Sequence, residues 1–331
     1  MFKRLLTTVT ITFVAAIVLV AQPQGRGPNL SPDEQKLAQN IMSATDPAAK
    51  MKAVAELIKK YPKTEIRAQV ARLTADKIAD LKDPNQQLTF AQQYQTIFTQ
   101  PAEEELIAPI LISAYADTNQ VDQAFTKGAD FLSRHPDSLP VLVELLSIGT
   151  SEAKKQNPKF ATQAIQYGTH AAELFEADKK PANVDDARWK DYKTATLPGV
   201  YQSLGLLYYA SGNRAEAKAR YAKASQLAPA DPFNFVMLAG LTNQDYQEAA
   251  KQYQTMPAGA ARDEQLKKVQ ALLDAVIDSY AHAIAVSEGN AALQQVRQQY
   301  LGDLETYYKY RHSGATDGMQ QLIDKYKTAK P

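Results

Sequence analysis

The chain has no cysteine, which excludes disulfides, thiolate metal sites, a cysteine nucleophile and the attachment of lipid or haem through sulfur. Histidine is scarce, and His135, His170, His282 and His312 lie far apart. The signatures HExxH, the EF-hand loop, GxxxxGKS/T and GxSxG are missing as well, which leaves zinc-helix, calcium-loop, P-loop and nucleophile-elbow chemistry without a motif. An excess of either charge is also lacking: 37 lysines and arginines face 36 aspartates and glutamates, for a formal net charge of +1. That balance gives no general electrostatic footprint for nucleic acid or an acidic membrane.

A long hydrophobic run occurs once, at the N-terminus. Lys3 and Arg4 precede an apolar stretch from Leu5 to Ala21, and Gln22 to Pro28 then turns polar and rich in glycine and proline. A positive flank followed by an apolar run is the pattern of a secretory signal. Residues 1–21 are therefore expected to be a signal peptide cleaved after Ala21, or else an uncleaved membrane anchor through residues 5–21. Residues 22–30 read as a flexible linker. The expected location is periplasmic or secreted, with a membrane-anchored form outside the cytoplasm as the alternative.

The remainder is rich in amphipathic, helix-period segments. The stretch from Pro198 to Pro232, PGVYQSLGLLYYASGNRAEAKARYAKASQLAPADP, has two such runs around Ser211-Gly212-Asn213. Tyr201, Leu204, Gly205 and Tyr208 fall on one stripe of the first run, and Ala217, Tyr221 and Ala224 on one stripe of the second. The turn makes the two helices antiparallel neighbours, and a hairpin this short needs a copy alongside to bury both apolar faces. A second copy is visible: Ala108, Leu111, Ile112 and Tyr115, then Ala124, Gly128, Phe131 and Pro136, match the spacing of the first through Pro229. A third begins near Asp137 with Leu142, Leu145, Leu146 and Gly149, and resumes at Ala164, Gly168 and Ala171 after an insertion around Lys154 to Pro158.

These residues resemble the tetratricopeptide repeat, most fully over Pro198–Pro229, next over 106–136, and more loosely through the rest of 46–257. The resemblance implies an all-α fold, a right-handed superhelix of helical hairpins, in which small residues permit close packing and the first helix of each hairpin presents a recognition groove. Carried over position by position, it nominates Ser113, Val143, Ser147, Gln202, Leu206, Tyr209, Val236 and Asn243 as groove residues. Leu111, Tyr115, Ala124, Tyr201, Leu204, Gly205, Tyr208, Ala217, Tyr221, Ala224 and Pro229 take the packing positions. The chaperone-binding members of the family clamp a terminal carboxylate with lysine and asparagine. Here the matching positions carry Pro109, Val143, Gln202 and Val236, then Ser113, Ser147, Leu206 and Gly240, which argues against a carboxylate clamp.

Elsewhere the chain predicts helices from Ser31 to about Ser43, after Asp46-Pro47, over 64–81 and over 88–98, with Asp83-Pro84-Asn85 as a turn. Trp189 and Tyr192 fall on a short helix before Pro198, with Trp189 sealing a join between repeats. Phe235, Leu238 and Ala239 start a hairpin whose second helix carries Tyr246, Ala249 and Tyr253. Residues 31–257 are thus expected to form the repeats. Residues 258–331 supply long capping helices at 262–286 and 291–310 and a last amphipathic lid bearing Met319, Leu322, Ile323 and Tyr326.

Isolated polar groups have bland readings beside their chemical ones. Glu103, Glu104 and Glu105 suit the first turn of a helix, where negative charge meets free backbone N–H groups. His170 with Glu173, and Asp278 with His282, supply two metal ligands each without a third. Ser287, Asp278 and His282 make a nucleophilic trio only on paper, and Tyr307 to His312 reads as a helix interface with a wet edge. The function expected is a non-enzymatic, cofactor-free exported scaffold that binds protein or peptide in envelope assembly or transport. Two alternatives remain open. One is an envelope hydrolase or carbohydrate-processing enzyme using Glu173, Glu176, Asp178, Asp185 and Asp186 near the 150–190 insertion, and the other is a self-associating spacer.

Overall fold

A computed structural model describes residues 28–181 and 184–327. The expected signal or anchor at 1–21 and most of the linker lie outside the described residues. Fourteen α-helices and two short 3-10 turns make up the regular structure, with no strand among the described residues. They fall into two compact units, one ending at Ile148 and the other beginning at Gly149.

The first unit contains α1 (Pro32–Ser43), α2 (Pro47–Lys60), α3 (Arg67–Ala79), α4 (Pro84–Ile97), α5 (Pro101–Asp117), α6 (Val121–Arg134) and the start of α7 (Leu139–Lys154). A proline in the first turn after a capping residue sets several of these starts. Asp46 accepts from the Ala49 amide at 2.8 Å, and Ser31 and Glu34 close a reciprocal capping box. Asp83-Pro84 works in the same way, so the expected turn at 83–85 is the beginning of α4, with Asp83 accepting from the Asn85 amide. Met51, Val54, Leu57 and Ile58 are buried as their spacing requires. On α3 the helix starts at Arg67 rather than Thr64, and its core stripe is Val70, Ala71, Thr74, Ala75 and Ile78, while Leu73 and Leu81 stay half-buried.

From α1 to α6 consecutive helices pair, and α2 also meets α4 while α3 meets α5, the contact pattern of stacked helical hairpins. Glu103 does more than face a helix start. It caps the Gln100 amide and takes a two-pronged ion pair from Arg67, at 2.5 and 2.8 Å, which ties α3 to α5. Glu104 pairs with Arg134, and Glu105 with His135.

The second unit contains the end of α7, then α8 (Ala161–Glu176), α9 (Asp186–Ala210), α10 (Arg214–Leu227), α11 (Pro232–Thr255), α12 (Ala260–Val286), α13 (Gln294–Arg311) and α14 (Met319–Lys327). Two helices are longer than the sequence pattern indicated. Trp189 and Tyr192 belong to α9 itself, which runs through Pro198. An interior proline costs about 3 kcal/mol in an isolated helix. Here Leu197, Val200, Tyr201, Leu204 and Leu207 are all buried, at about 2 kcal/mol each, and that outweighs it.

Likewise α11 is continuous from Pro232 to Thr255, so Tyr246, Ala249 and Tyr253 do not form a separate second helix. Its hairpin partner is α12, reached through the turn at 256–259. By length and composition α12 could cross a membrane, yet Leu273, Val276, Ile277 and Ile284 are buried within the unit. The last amphipathic helix is the lid its pattern predicts: α14 packs on α12 and buries Ile323.

Candidate protein-binding faces

The best repeat owes its close packing to Gly205. A Cβ there would stand 2.9 Å from the ring of Tyr221, which is fully buried between α9 and its neighbours. Tyr201, Leu204, Ala217 and Ala224 are buried beside it, as are Leu111, Tyr115 and Ala124 in the first unit. Tyr208 is half-buried, with the Arg220 guanidinium 5.6 Å from its ring centre. Pro229 is a correction: it is exposed in the connection after α10 rather than buried with the other packing positions. Ile112, which replaces the usual small residue, is accommodated and buried. The tight approach there is between α6 and the next helix, where a Cβ on Gly128 would meet Leu145 of α7 at 2.7 Å.

The nominated groove residues divide between the units. In the first, Ser113 on α5 lies near enough to Glu144 on α7 to act on its carboxyl, and Val143 and Ser147 are half-buried on α7. Glu144 was not legible as a site residue. It is desolvated and lies close to Asp117, and its carboxyl is pushed up to about 7 by burial first and by that neighbouring charge second, against the Ser113 bond.

In the second unit α9 is tied to Asp231, the residue that caps α11. Gln202 Nε2 donates to Asp231 Oδ2 at 2.5 Å, so Gln202 is already engaged, and Leu206 and Val236 are half-buried rather than fully solvent-facing. Tyr209 is 45% exposed, and Phe233 on α11 is 43% exposed with its ring edge-on to Tyr221. Asn243 is half-buried, and its amide oxygen has no donor among the described residues.

The carboxylates of the hydrolase alternative have structural partners. Asp185 caps α9 at the Arg188 amide, and Glu176 pairs with Lys223 at 2.9 Å; the nearby Tyr201 hydroxyl first and this pair second hold its carboxyl below the ordinary value. Glu173 sits beside His170 at 3.7 Å. Asp178 and Asp186 line a cleft of about 580 Å³ with Lys180, Trp189, Lys193 and Leu197. Asp178 accepts from Trp189 Nε1 at 2.8 Å and from Lys193 at 2.9 Å, and these bonds hold its carboxyl below the ordinary value. A glycosidase acid needs the opposite shift. Trp189 stacks on Phe175 at 5.6 Å, so it seals α8 against α9 while one edge of it reaches the cleft.

The imagined trio at 278, 282 and 287 is not assembled. Ser287 is buried and donates to the Ala283 carbonyl, Asp278 accepts from Tyr326, and the His282 ring is stacked between Phe235 and Tyr326. At the 307–312 run, Tyr308 faces inward and Tyr310 is 74% exposed, the mixed interface and wet edge expected of it.

No protein-family model matches the chain, and no curated protein matches it. Among solved structures it is similar to a thermophilic tetratricopeptide repeat protein of Thermus thermophilus, at 15% identity and a TM-score of 0.39, over 71% of this chain and 98% of that one. It is also similar to a tetratricopeptide repeat protein of Parabacteroides merdae, at 12% identity and a TM-score of 0.41, over 89% of this chain and 98% of that one.

Proposed function

We propose that this protein is a non-catalytic scaffold that holds a protein or peptide segment against the first helices of its hairpins, and that it does so outside the cytoplasm, in the assembly or transport of envelope components. The observation that carries the binding role is a pair of exposed rings on the second unit. Tyr209 of α9 and Phe233 of α11 are 45% and 43% open to solvent, and Gln202 of α9 bonds to Asp231 at the head of α11. Large rings of that kind anchor protein contacts at little entropic cost. The basic flank and apolar run at residues 3–21 support the location.

The test is affinity capture from intact envelope with the wild-type chain and with Tyr209→Ala. A defined partner retained by the first and lost by the second, with helical content unchanged, is the expected result. Equal retention by both would remove this face from the binding role. N-terminal sequencing of the same material reads the location directly, and a mature chain beginning at Gln22 is expected.

A further inference from the structure

On α13, Tyr300, Asp303 and Tyr307 are three and four residues apart, which puts them on one stripe of the helix. Tyr280 of α12 faces this stripe. Its ring lies 6.4 Å from that of Tyr300, tilted at 46°, and 5.9 Å from that of Tyr307, nearly parallel at 17°. Three tyrosine rings thus gather beside the stripe that carries Asp303, and all four side chains are partly open to solvent. Behind them the rings rest on the buried cluster that includes Ile277, Ile284 and Leu304, which fixes their positions.

The charge of this recess is one-sided. Asp303 has no hydrogen-bond or ion-pair partner among the described residues, and burial alone raises its carboxyl above the ordinary value. Its negative charge is felt by all three rings: the Tyr280 hydroxyl is pushed up to about 12, first by burial and then by Asp303, and Tyr300 and Tyr307 are raised too. Asp231 adds a second negative charge near Tyr300. The basic side chains of α13 are engaged elsewhere. Arg297 Nε donates to the Ile284 carbonyl at 3.2 Å, Lys309 pairs with Glu305 at 2.5 Å, and Arg311 pairs with Asp274 at 2.7 Å. A desolvated carboxylate without a counter-charge is costly to keep, and the electron-rich faces of three aromatic rings attract the same kind of group that would relieve it.

We propose that the recess formed by Tyr280, Tyr300, Asp303 and Tyr307 binds an alkylammonium group, of the kind a lysine side chain carries. The rings take the methylene stem and the ammonium by cation–π attraction, and Asp303 supplies the opposite charge and a hydrogen-bond acceptor. An inorganic cation would leave the apolar ring surface unused, whereas an alkyl stem covers it. None of its four residues is a groove position, and the proposal stands whether or not those positions bind a partner.

The test is titration of the purified chain, with its tyrosine rings isotope-labelled, against n-butylammonium chloride, with n-butanol and sodium chloride in parallel. Ring resonances of Tyr280, Tyr300 and Tyr307 are expected to shift saturably with the ammonium. In Asp303→Asn, which keeps the shape of the side chain, affinity is expected to fall by about tenfold, the scale of a charge-assisted contact added to a cation–π contact. Tyr300→Leu, which keeps apolar volume but loses the ring, should weaken binding as well. The proposal is overturned if butanol or sodium chloride shifts the same rings as strongly, or if Asp303→Asn binds as wild type does. It is equally overturned if no ring moves. Unchanged amide spectra in both variants show that the fold is intact, and capture of a partner through Tyr209 is read separately.

Discussion

Glu144 shows what one buried side chain does to the stability of this protein. Its carboxyl is raised from the ordinary 4.5 to about 7, so between those values the folded chain holds a proton that the unfolded chain has released. Stability is therefore full below pH 4.5, falls as pH rises through about 7, and stays at the lower level above that. Glu144→Gln keeps an acceptor for Ser113 and carries no charge. It is expected to remove this decline and to stabilise the protein at pH 8 by about 3 kcal/mol. Denaturant melts of both forms at pH 5 and pH 8 check it, and parallel pH profiles would contradict the assignment. Single residues were legible in the sequence where spacing alone decides the matter: Gly205 and Tyr221, or Ala217 and Ala224, follow from helical periodicity. Glu144 and the Arg67–Glu103 pair were not, because their partners lie some 30 residues away, and no local pattern specifies which turn of one helix meets which turn of another.

Helix starts were readable because capping is local chemistry: Ser31-Pro32, Asp46-Pro47 and Asp231-Pro232 each announce one. Helix continuations were not. Pro198 resembles a boundary, and the change of register between Ala239 and Tyr246 resembles a turn, but burial along both sides of α9 and the full-length pairing of α11 with α12 carry the helices through. The lid α14 gives a test at this scale. Tyr326 of α14 stacks on His282 of α12 at 4.2 Å, and His282 stacks on Phe235 of α11 at 3.7 Å, so three helices meet in one ring stack. Burial holds the His282 imidazole below its ordinary 6.5, and Lys325 of α14 pushes it in the same direction against the pull of Asp278. A chain ending at Gly318 is expected to let His282 titrate closer to 6.5, and to bind more of a hydrophobic dye because Ile323 no longer covers its neighbours. An unchanged His282 titration by NMR would show that α14 is not the cover.

For the whole molecule, the all-α class and the hairpin pairing were legible because every apolar stripe has helical period. The candidate cation recess was not, because it is assembled from two helices and the relevant sequence, Tyr300 to Tyr307, reads equally well as an ordinary interface. Net charge is the property that the sequence fixes most simply, and it bears on partners. The 37 basic side chains are nearly matched by 36 acidic ones, and many are spent in ion pairs: Arg67 on Glu103, Arg214 on Asp245 and Glu248, Arg311 on Asp274. Binding to a polyanion gains free energy by releasing counterions in proportion to the number of phosphates or sulfates neutralised, and a cation already paired with a carboxylate must give up that contact to contribute. The purified chain is therefore expected to leave a heparin column at or below about 0.2 M salt, and to show a shallow dependence of log K on log salt with double-stranded DNA, equivalent to about two contacts or fewer. Retention beyond about 0.5 M would mean that free basic side chains gather on one surface despite the balanced total, and the partner sought would then be acidic rather than one that offers ammonium groups.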